Sequence, residues 1–82
     1  MQKINLWITS NYDYPVIVNA ESLVVDIDTD KSIARFTVWD DLSCMLEIMD
    51  IDTEKYILNE RRELSSDEEV IEAFKEFHSL LN

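Results

Sequence analysis

Two side chains in this sequence could support nucleophilic or acid–base chemistry. His78 and Cys44 are the single histidine and the single cysteine among 82 residues. A nucleophilic cysteine must be accessible and have a low pKa. Cys44 instead alternates with the apolar Leu46 and Ile48, at a position where a free cysteine acts as a small hydrophobe. No carboxylate pair stands out among the eighteen Asp and Glu. We therefore predict no catalytic residues and no enzymatic activity.

The acidic run Asp26, Asp28 and Asp30 has the spacing that opens a calcium-binding loop. That loop requires a glycine where this sequence has Lys31, and a bidentate Glu where it has Thr37. Alternate residues of a strand also point the same way, so these carboxylates form a stripe instead of a cage. The sequence contains no glycine at all, which excludes the Gly-rich loops that cradle phosphates. We predict no metal and no cofactor.

The elements that must position these side chains are mostly strands. Apolar and polar residues alternate in several short runs separated by turn-forming residues, which predicts an antiparallel meander of about five to six strands. The predicted strands cover residues 3–9, 16–18, 23–28, 32–39, 44–49 and 56–60. The sequence of residues 26–31 recurs almost unchanged at residues 50–55. We interpret the two copies as the same hairpin turn used twice.

One amphipathic helix closes the chain. Ser65 with Glu68, or Ser66 with Glu69, forms a capping box, and acidic residues follow in the first turn, where the helix dipole favours them. Apolar residues then recur at helical spacing, namely Val70, Phe74, Phe77 and Leu81. The predicted fold is therefore α+β, a single domain over residues 1–82, with this helix packed on one face of the sheet.

The net charge of −11, from eighteen acidic and seven basic residues, restricts the class of partner. Nucleic acid and anionic membranes would repel such a chain, whereas a basic protein would be attracted to it. A lone cysteine and the lack of an apolar run long enough to span a membrane fit a cytoplasmic protein. An acidic surface kept for solubility alone is the alternative explanation.

The sheet face opposite the helix is predicted to be unusual. Strand alternation places Ile4, Leu6 and Ile8 with the core residues of the other strands. It leaves Trp7, Val24, Trp39, Met45 and Met49 on the opposite face. Tryptophan and methionine are favoured at protein interfaces, and acids are interleaved with them here. We interpret this face as a partner-binding surface. A second small core or a homodimer interface would explain the same residues.

The stretch Arg35-Phe36-Thr37-Val38-Trp39-Asp40-Asp41-Leu42-Ser43-Cys44, together with the small size, the acidity and the meander-plus-helix pattern, resembles immunity proteins. These proteins belong to bacterial contact-dependent growth inhibition and related polymorphic toxin systems. The resemblance implies a cognate toxin C-terminal domain as partner, and an RNase acting on transfer RNA as its activity. The expected role is stoichiometric inhibition by tight binding.

The residues predicted to bind this partner are Trp7, Asp26, Asp28, Trp39, Asp40, Asp41, Met45, Glu47, Met49, Asp50 and Asp52. Trp39, Asp40 and Asp41 at a strand end are the centre of the prediction. Two alternatives remain open. A phage-encoded nucleic-acid mimic, such as an anti-CRISPR or anti-restriction protein, would space its acids like phosphates. A structural domain would instead form homodimers through the tryptophan and methionine face.

Overall fold

Five antiparallel strands form one sheet whose strand order follows the chain. A computed structural model describes residues 1–81. Its elements are α1 (Gln2–Asn11), β1 (Val16–Val18), β2 (Ser22–Asp28), β3 (Ser32–Trp39), β4 (Ser43–Asp50), β5 (Lys55–Glu63) and α2 (Asp67–Ser79). The predicted α+β fold, with an antiparallel meander and a C-terminal helix, is confirmed.

The core lies between one face of the sheet and the two helices. Alternate residues of β2, β3 and β4 are buried, as the apolar alternation predicts. They are Leu23, Val25, Ile27, Ala34, Phe36, Val38, Cys44, Leu46 and Ile48. From α2, Phe74 and Phe77 pack on Phe36, with ring centroids 5.0 and 5.5 Å away. Both helices therefore cover the same face, and the opposite face has no helix over it.

Helix α2 begins where the capping residues require. Ser66 is the N-cap, and its hydroxyl accepts a hydrogen bond from the Glu69 amide. The Glu69 carboxylate in turn accepts a bond from the Ser65 amide, at 3.1 Å. Of the two capping boxes that the sequence offered, the second is therefore the one formed. The predicted apolar stripe of α2 is buried.

The strand predicted over residues 3–9 is wrong, because this segment is helix α1. Ile4 and Ile8 are buried, and a spacing of four suits one face of a helix as well as one face of a strand. Leu6 separates the two alternatives: it is 66% exposed, whereas a strand would have buried it beside Ile4. Lys3 ties α1 to α2 through an ion pair with Glu68, at 2.8 Å.

The two sequence copies form hairpin turns, but the turns differ. In the first, the Thr29 amide bonds to the Ser32 carbonyl across a two-residue loop. In the second, Asp50 pairs with Lys55 across a four-residue loop, in which Glu54 has a φ of 58°. The expectation of one turn used twice is therefore wrong. What the copies share is a threonine hydroxyl that accepts a bond from the backbone of the following lysine.

Candidate functional site

The sheet face without a helix over it is the candidate site, and we call it the open face. Antiparallel register arranges its side chains in three rows that cross the strands, and Trp39, which pairs with Ser22, lies beyond the last of them. We call the end with the β2–β3 and β4–β5 turns the lower end, and the end with the β1–β2 and β3–β4 turns the upper end. The open face comprises Ile17, Val24, Asp26, Asp28, Ile33, Arg35, Thr37, Trp39, Met45, Glu47, Met49, Tyr56, Asn59 and Arg61.

The upper row lies beside Trp39, and its one charged side chain, Arg61, contacts the Trp39 ring. It runs from β1 to β5 through Ile17, Val24, Thr37, Met45 and Arg61. The Arg61 guanidinium lies over the Trp39 ring, 5.3 Å from its centroid. Trp39 and Met45 are half-buried. An arginine over an indole stabilises both side chains, so the row is packed by its own residues on the β5 side, whereas Ile17 on β1 is half exposed.

The middle row is charged, and its charges are largely compensated. Asp26, Arg35, Glu47 and Asn59 face one another across four strands. The Arg35 guanidinium donates from Nε and Nη2 to the two Asp26 carboxylate oxygens, at 2.7 and 3.3 Å. This bidentate pair fixes the geometry of both groups. The row therefore carries one excess negative charge, far less than the acid count alone suggests.

The lower row is apolar and open. Ile33, Met49 and Tyr56 lie side by side on β3, β4 and β5, with Asp28 completing the row on β2. Ile33 is 48% exposed and Tyr56 55% exposed, while Met49 between them is half-buried. A one-residue irregularity in the β4–β5 register next to Met49 brings Tyr56 opposite it. Without that shift, Ile57 would take this position.

Acidic residues gather at both ends of the sheet. At the upper end, the Asp41 carboxylate accepts bonds from the Ser43 hydroxyl and amide, at 2.6 and 2.9 Å. Bonds from Ser43 hold the pKa of Asp41 below its usual value. At the lower end, the Asp50 carboxylate accepts from the amides of Asp52 and Thr53. Asp41 and Asp50 therefore also build turns.

The structure places ten of the eleven residues predicted to bind a partner on the open face or at one of its two ends. Asp26, Asp28, Trp39, Met45, Glu47 and Met49 lie on the open face; Asp40, Asp41, Asp50 and Asp52 lie at its two ends. The placement of Trp7 on this face is wrong. It lies in α1, on the helix side, with its ring 6.1 Å from Phe74 and Lys75 over it. The error follows from taking residues 3–9 as a strand.

Sequence reasoning did not assign Ile17, Ile33, Tyr56 and Arg61 to the site. Ile33 was placed on the correct face by alternation but not in the binding set. Ile17, Tyr56 and Arg61 belong to the two edge strands, whose register decides their neighbours. The signal that was available is their type, because large apolar side chains near turns are unusual on an open sheet face.

The two side chains with nucleophilic or acid–base chemistry lie apart from the open face. Cys44 is fully buried on the core side of β4, and burial raises the pKa of its thiol. The His78 Nε2 shares a hydrogen bond with the Tyr14 hydroxyl, at 2.9 Å, and its ring packs against Tyr12. In the described residues His78 thus contacts aromatic groups of the helix layer, which is a packing role.

A shallow groove of about 330 Å³ lies between the end of β5 and α2. Its lining is Arg62, Leu64, Glu68, Glu69, Glu72, Ala73 and Glu76. Arg62 bridges Glu60 and Glu76, and through Glu76 it fastens the helix to the sheet. Over residues 1–81 no group of three or more His, Cys, Asp or Glu is placed to hold a metal ion. The same residues include no helix long and apolar enough to span a membrane.

Comparison with known proteins identifies the family. The family model described as immunity protein TriTu matches residues 2–80, nearly the whole chain. A search of curated proteins found no match. The chain therefore belongs to the TriTu immunity protein family. Membership confirms the resemblance to immunity proteins, supports a toxin-neutralising role, and implies a cognate toxin as partner.

Proposed function

We propose that this member of the TriTu immunity family neutralises a basic toxin domain by binding it stoichiometrically through the open face. The observation that carries the proposal is the open face itself. An uncovered sheet face is normally polar, yet this one exposes Ile17, Ile33 and Tyr56 beside acidic residues. Exposed apolar groups of this kind, rimmed by charge, are typical of protein interfaces.

The net charge of −11 supports a basic partner, and a nuclease fits that requirement. A nuclease needs a basic surface to hold phosphates. An acidic inhibitor competes for such a surface, and it is also steered towards it at low ionic strength. A toxin that cleaves RNA, such as transfer RNA, and an immunity protein that acts in the cytoplasm of the cell it protects would be consistent with this chemistry and with a contact-dependent growth inhibition system.

The alternatives are less consistent with the arrangement of charge. A nucleic-acid mimic would need an uninterrupted row of acids, whereas Arg35 and Arg61 interrupt the open face and Arg35 pairs with Asp26. A homodimer through this face would bring two chains of like net charge together.

The test starts from the reading frame next to the gene for this chain, where a basic C-terminal domain would be the candidate toxin domain, and it measures binding to that domain and protection from it. We expect a 1:1 complex by calorimetry, loss of toxin activity at equimolar ratio, and an association rate that falls steeply as NaCl increases. The matched pair of variants is Glu47→Lys, on the open face, and Glu72→Lys, on the helix side, which make the same change in net charge. Glu47→Lys should weaken binding, because it places a positive charge against a basic partner, while Glu72→Lys should change it much less. Toxin inhibition that needs a large excess of this chain, or that is equally sensitive to both variants, would contradict the proposal.

A further inference from the structure

At the lower end of the open face, four apolar side chains form a small cluster that we call the lower patch: Ile33, Met49, Ile51 and Tyr56. Strand register places Ile33, Met49 and Tyr56 side by side, since Ile33 pairs with Met49 and Met49 pairs with Tyr56. Ile51 joins them from the β4–β5 turn, because its amide donates to the Lys31 carbonyl at 2.9 Å. The patch therefore spans two hairpins that meet side by side.

Ile51 is partly exposed, unlike its counterpart in the other sequence copy. Its counterpart in the other sequence copy is Ile27, which is 3% exposed and belongs to the core. Ile51 occupies the same place in nearly the same hexapeptide but is 41% exposed. Much of the Ile51 side chain therefore contacts solvent in the isolated chain. Its apolar surface is available to a partner.

The rim of the lower patch is mostly acidic. Asp28, Asp30, Asp52 and Glu54 lie at the adjacent strand end and turns, and among residues 1–81 their carboxylates form no ion pair. The same two turns contain two lysines, Lys31 and Lys55, so acids outnumber bases there.

Both ends of the sheet carry acids that form no ion pair within the described part of the chain, including Glu21 and Asp40 at the upper end. At the upper end, Asp41 also bonds to Ser43. The lower end differs because its acids lie beside exposed apolar side chains, whereas the Trp39 ring at the upper end is covered by Arg61.

We propose that the lower patch is the anchor of the toxin complex, and that the toxin presents there an apolar side chain flanked by lysine or arginine residues. This inference rests on the function proposed above and locates it on the molecule. Charge complementarity selects the occupant: a second copy would bring its own acidic rim against this one, because a two-fold contact pairs like with like. A basic partner satisfies both the apolar centre and the acidic rim.

The experiment measures the affinity of variants of this chain for the candidate toxin domain. The residues substituted in the test and control variants are all about half exposed. Ile33→Thr and Tyr56→Thr keep a strand-forming residue while removing apolar surface. We expect each to raise the Kd by about 30-fold or more, as truncation of a central interface residue does. Val18→Thr is the control, because Val18 is 62% exposed on the other edge strand and lies outside the open face. It should leave the Kd within about twofold.

Charge-reversal variants compare the contributions of the two ends of the sheet to the association rate. The double variant Asp30→Lys with Asp52→Lys should slow association by about tenfold at low salt. The double variant Glu21→Lys with Asp40→Lys makes the same charge change at the upper end and should slow it less. Thermal melting of every variant, without toxin, checks that each is folded.

The outcomes distinguish this inference from the proposed function. Wild-type affinity in the lower-patch variants, with lost affinity in the upper-end variants, would overturn the anchor and leave the immunity function standing. A wild-type chain that neither binds nor neutralises the toxin would overturn both. A dimer of the pure chain that Ile33→Thr converts to a monomer would assign the patch to a second copy and overturn the inference.

Discussion

Glu54 adopts a backbone conformation that its side chain disfavours. Its φ of 58° lies in the left-handed region, and Leu42 in the β3–β4 turn is the other such residue among those described. Turns of this kind usually carry glycine at that position, but this sequence has none. Asparagine tolerates the left-handed region better than glutamate does. The strain at Glu54 is therefore removable without a change in the fold.

We expect Glu54→Asn to raise the free energy of unfolding by about 0.5–1 kcal/mol, equivalent to roughly 3–6 °C in Tm for a domain of this size. Glu54→Gln is the control, because it removes the same charge and leaves the backbone preference unchanged. Urea unfolding measures both. Equal stabilisation by the two variants would attribute the gain to charge, and the backbone explanation would then be wrong.

At the scale of elements, helix α2 depends on one of two adjacent serines. The Ser66 hydroxyl accepts the Glu69 amide at 3.2 Å, whereas Ser65 contributes only its backbone amide, to the Glu69 carboxylate. Loss of an N-cap hydroxyl costs about 1 kcal/mol. We therefore expect Ser66→Ala to lower the free energy of unfolding by about 1 kcal/mol and Ser65→Ala to change it by less than about 0.3 kcal/mol. A larger loss in Ser65→Ala would show that the helix begins one residue earlier in solution.

The contact between α2 and β5 should make stability depend on pH. A hydrogen bond from Arg62 holds the pKa of Glu76 below its ordinary value of 4.5. A carboxyl whose pKa is lower in the folded chain binds fewer protons there than in the unfolded chain. Its contribution is thus fully present above pH 4.5 and is lost as the pH falls below that value through the folded pKa.

We expect Glu76→Gln to flatten the decline in stability below about pH 5, relative to the wild type. Glu63→Gln is the matched control, since Glu63 forms no ion pair among residues 1–81 and lies on the neighbouring strand. Urea midpoints measured from pH 3 to pH 7 give the comparison. The same slope for wild type and Glu76→Gln would show that the Arg62 contact does not persist in solution.

Elements with a single consistent pattern could be predicted from the sequence, whereas α1 could not. In β2, β3 and β4 every second residue is a core residue, as the sequence pattern predicts, so both their faces were correct. In α1 the spacing of the buried Ile4 and Ile8 fits both the period of a helix and the period of a strand, and the usual helix signals are missing. Its N-cap is Met1 with no side-chain cap, and its first turn has no acidic residue. Only packing against α2 decides between helix and strand there, and packing is not a local property.

The candidate site was predictable to the extent that it follows from alternation. Trp39, Met45 and Met49 lie where the pattern places them. The lower patch could not be predicted, because Tyr56 reaches Met49 only through the register shift in β5, and Ile51 is positioned by a bond to the neighbouring hairpin. The compensation of Asp26 by Arg35 likewise requires their register. The site residues that sequence reasoning missed therefore lie in edge strands and turns, where the local sequence constrains the structure least.

For the whole molecule, charge affects stability and association in opposite directions. Eighteen acids against seven bases make the folded chain repel itself. The five ion pairs among residues 1–81 lie at the surface, so each contributes little. Salt screens both, with a Debye length of about 8 Å at 0.15 M. Repulsion involves many more charge pairs than the ion pairs do. Salt should therefore stabilise the isolated protein while slowing its association with a basic toxin.

We expect the urea midpoint to rise between 0.02 and about 0.3 M NaCl, and the association rate with the toxin domain to fall by about tenfold or more over the same range. The double variant Asp30→Lys with Asp52→Lys is the internal control. Each substitution adds two positive charges, so the two together move the net charge from −11 to −7. Both salt dependences should be shallower in this variant. A midpoint that falls with NaCl would mean that the ion pairs outweigh the repulsion. An association rate independent of NaCl would mean that the acids do not steer the partner, and the lower patch would then have to bind through its apolar centre alone.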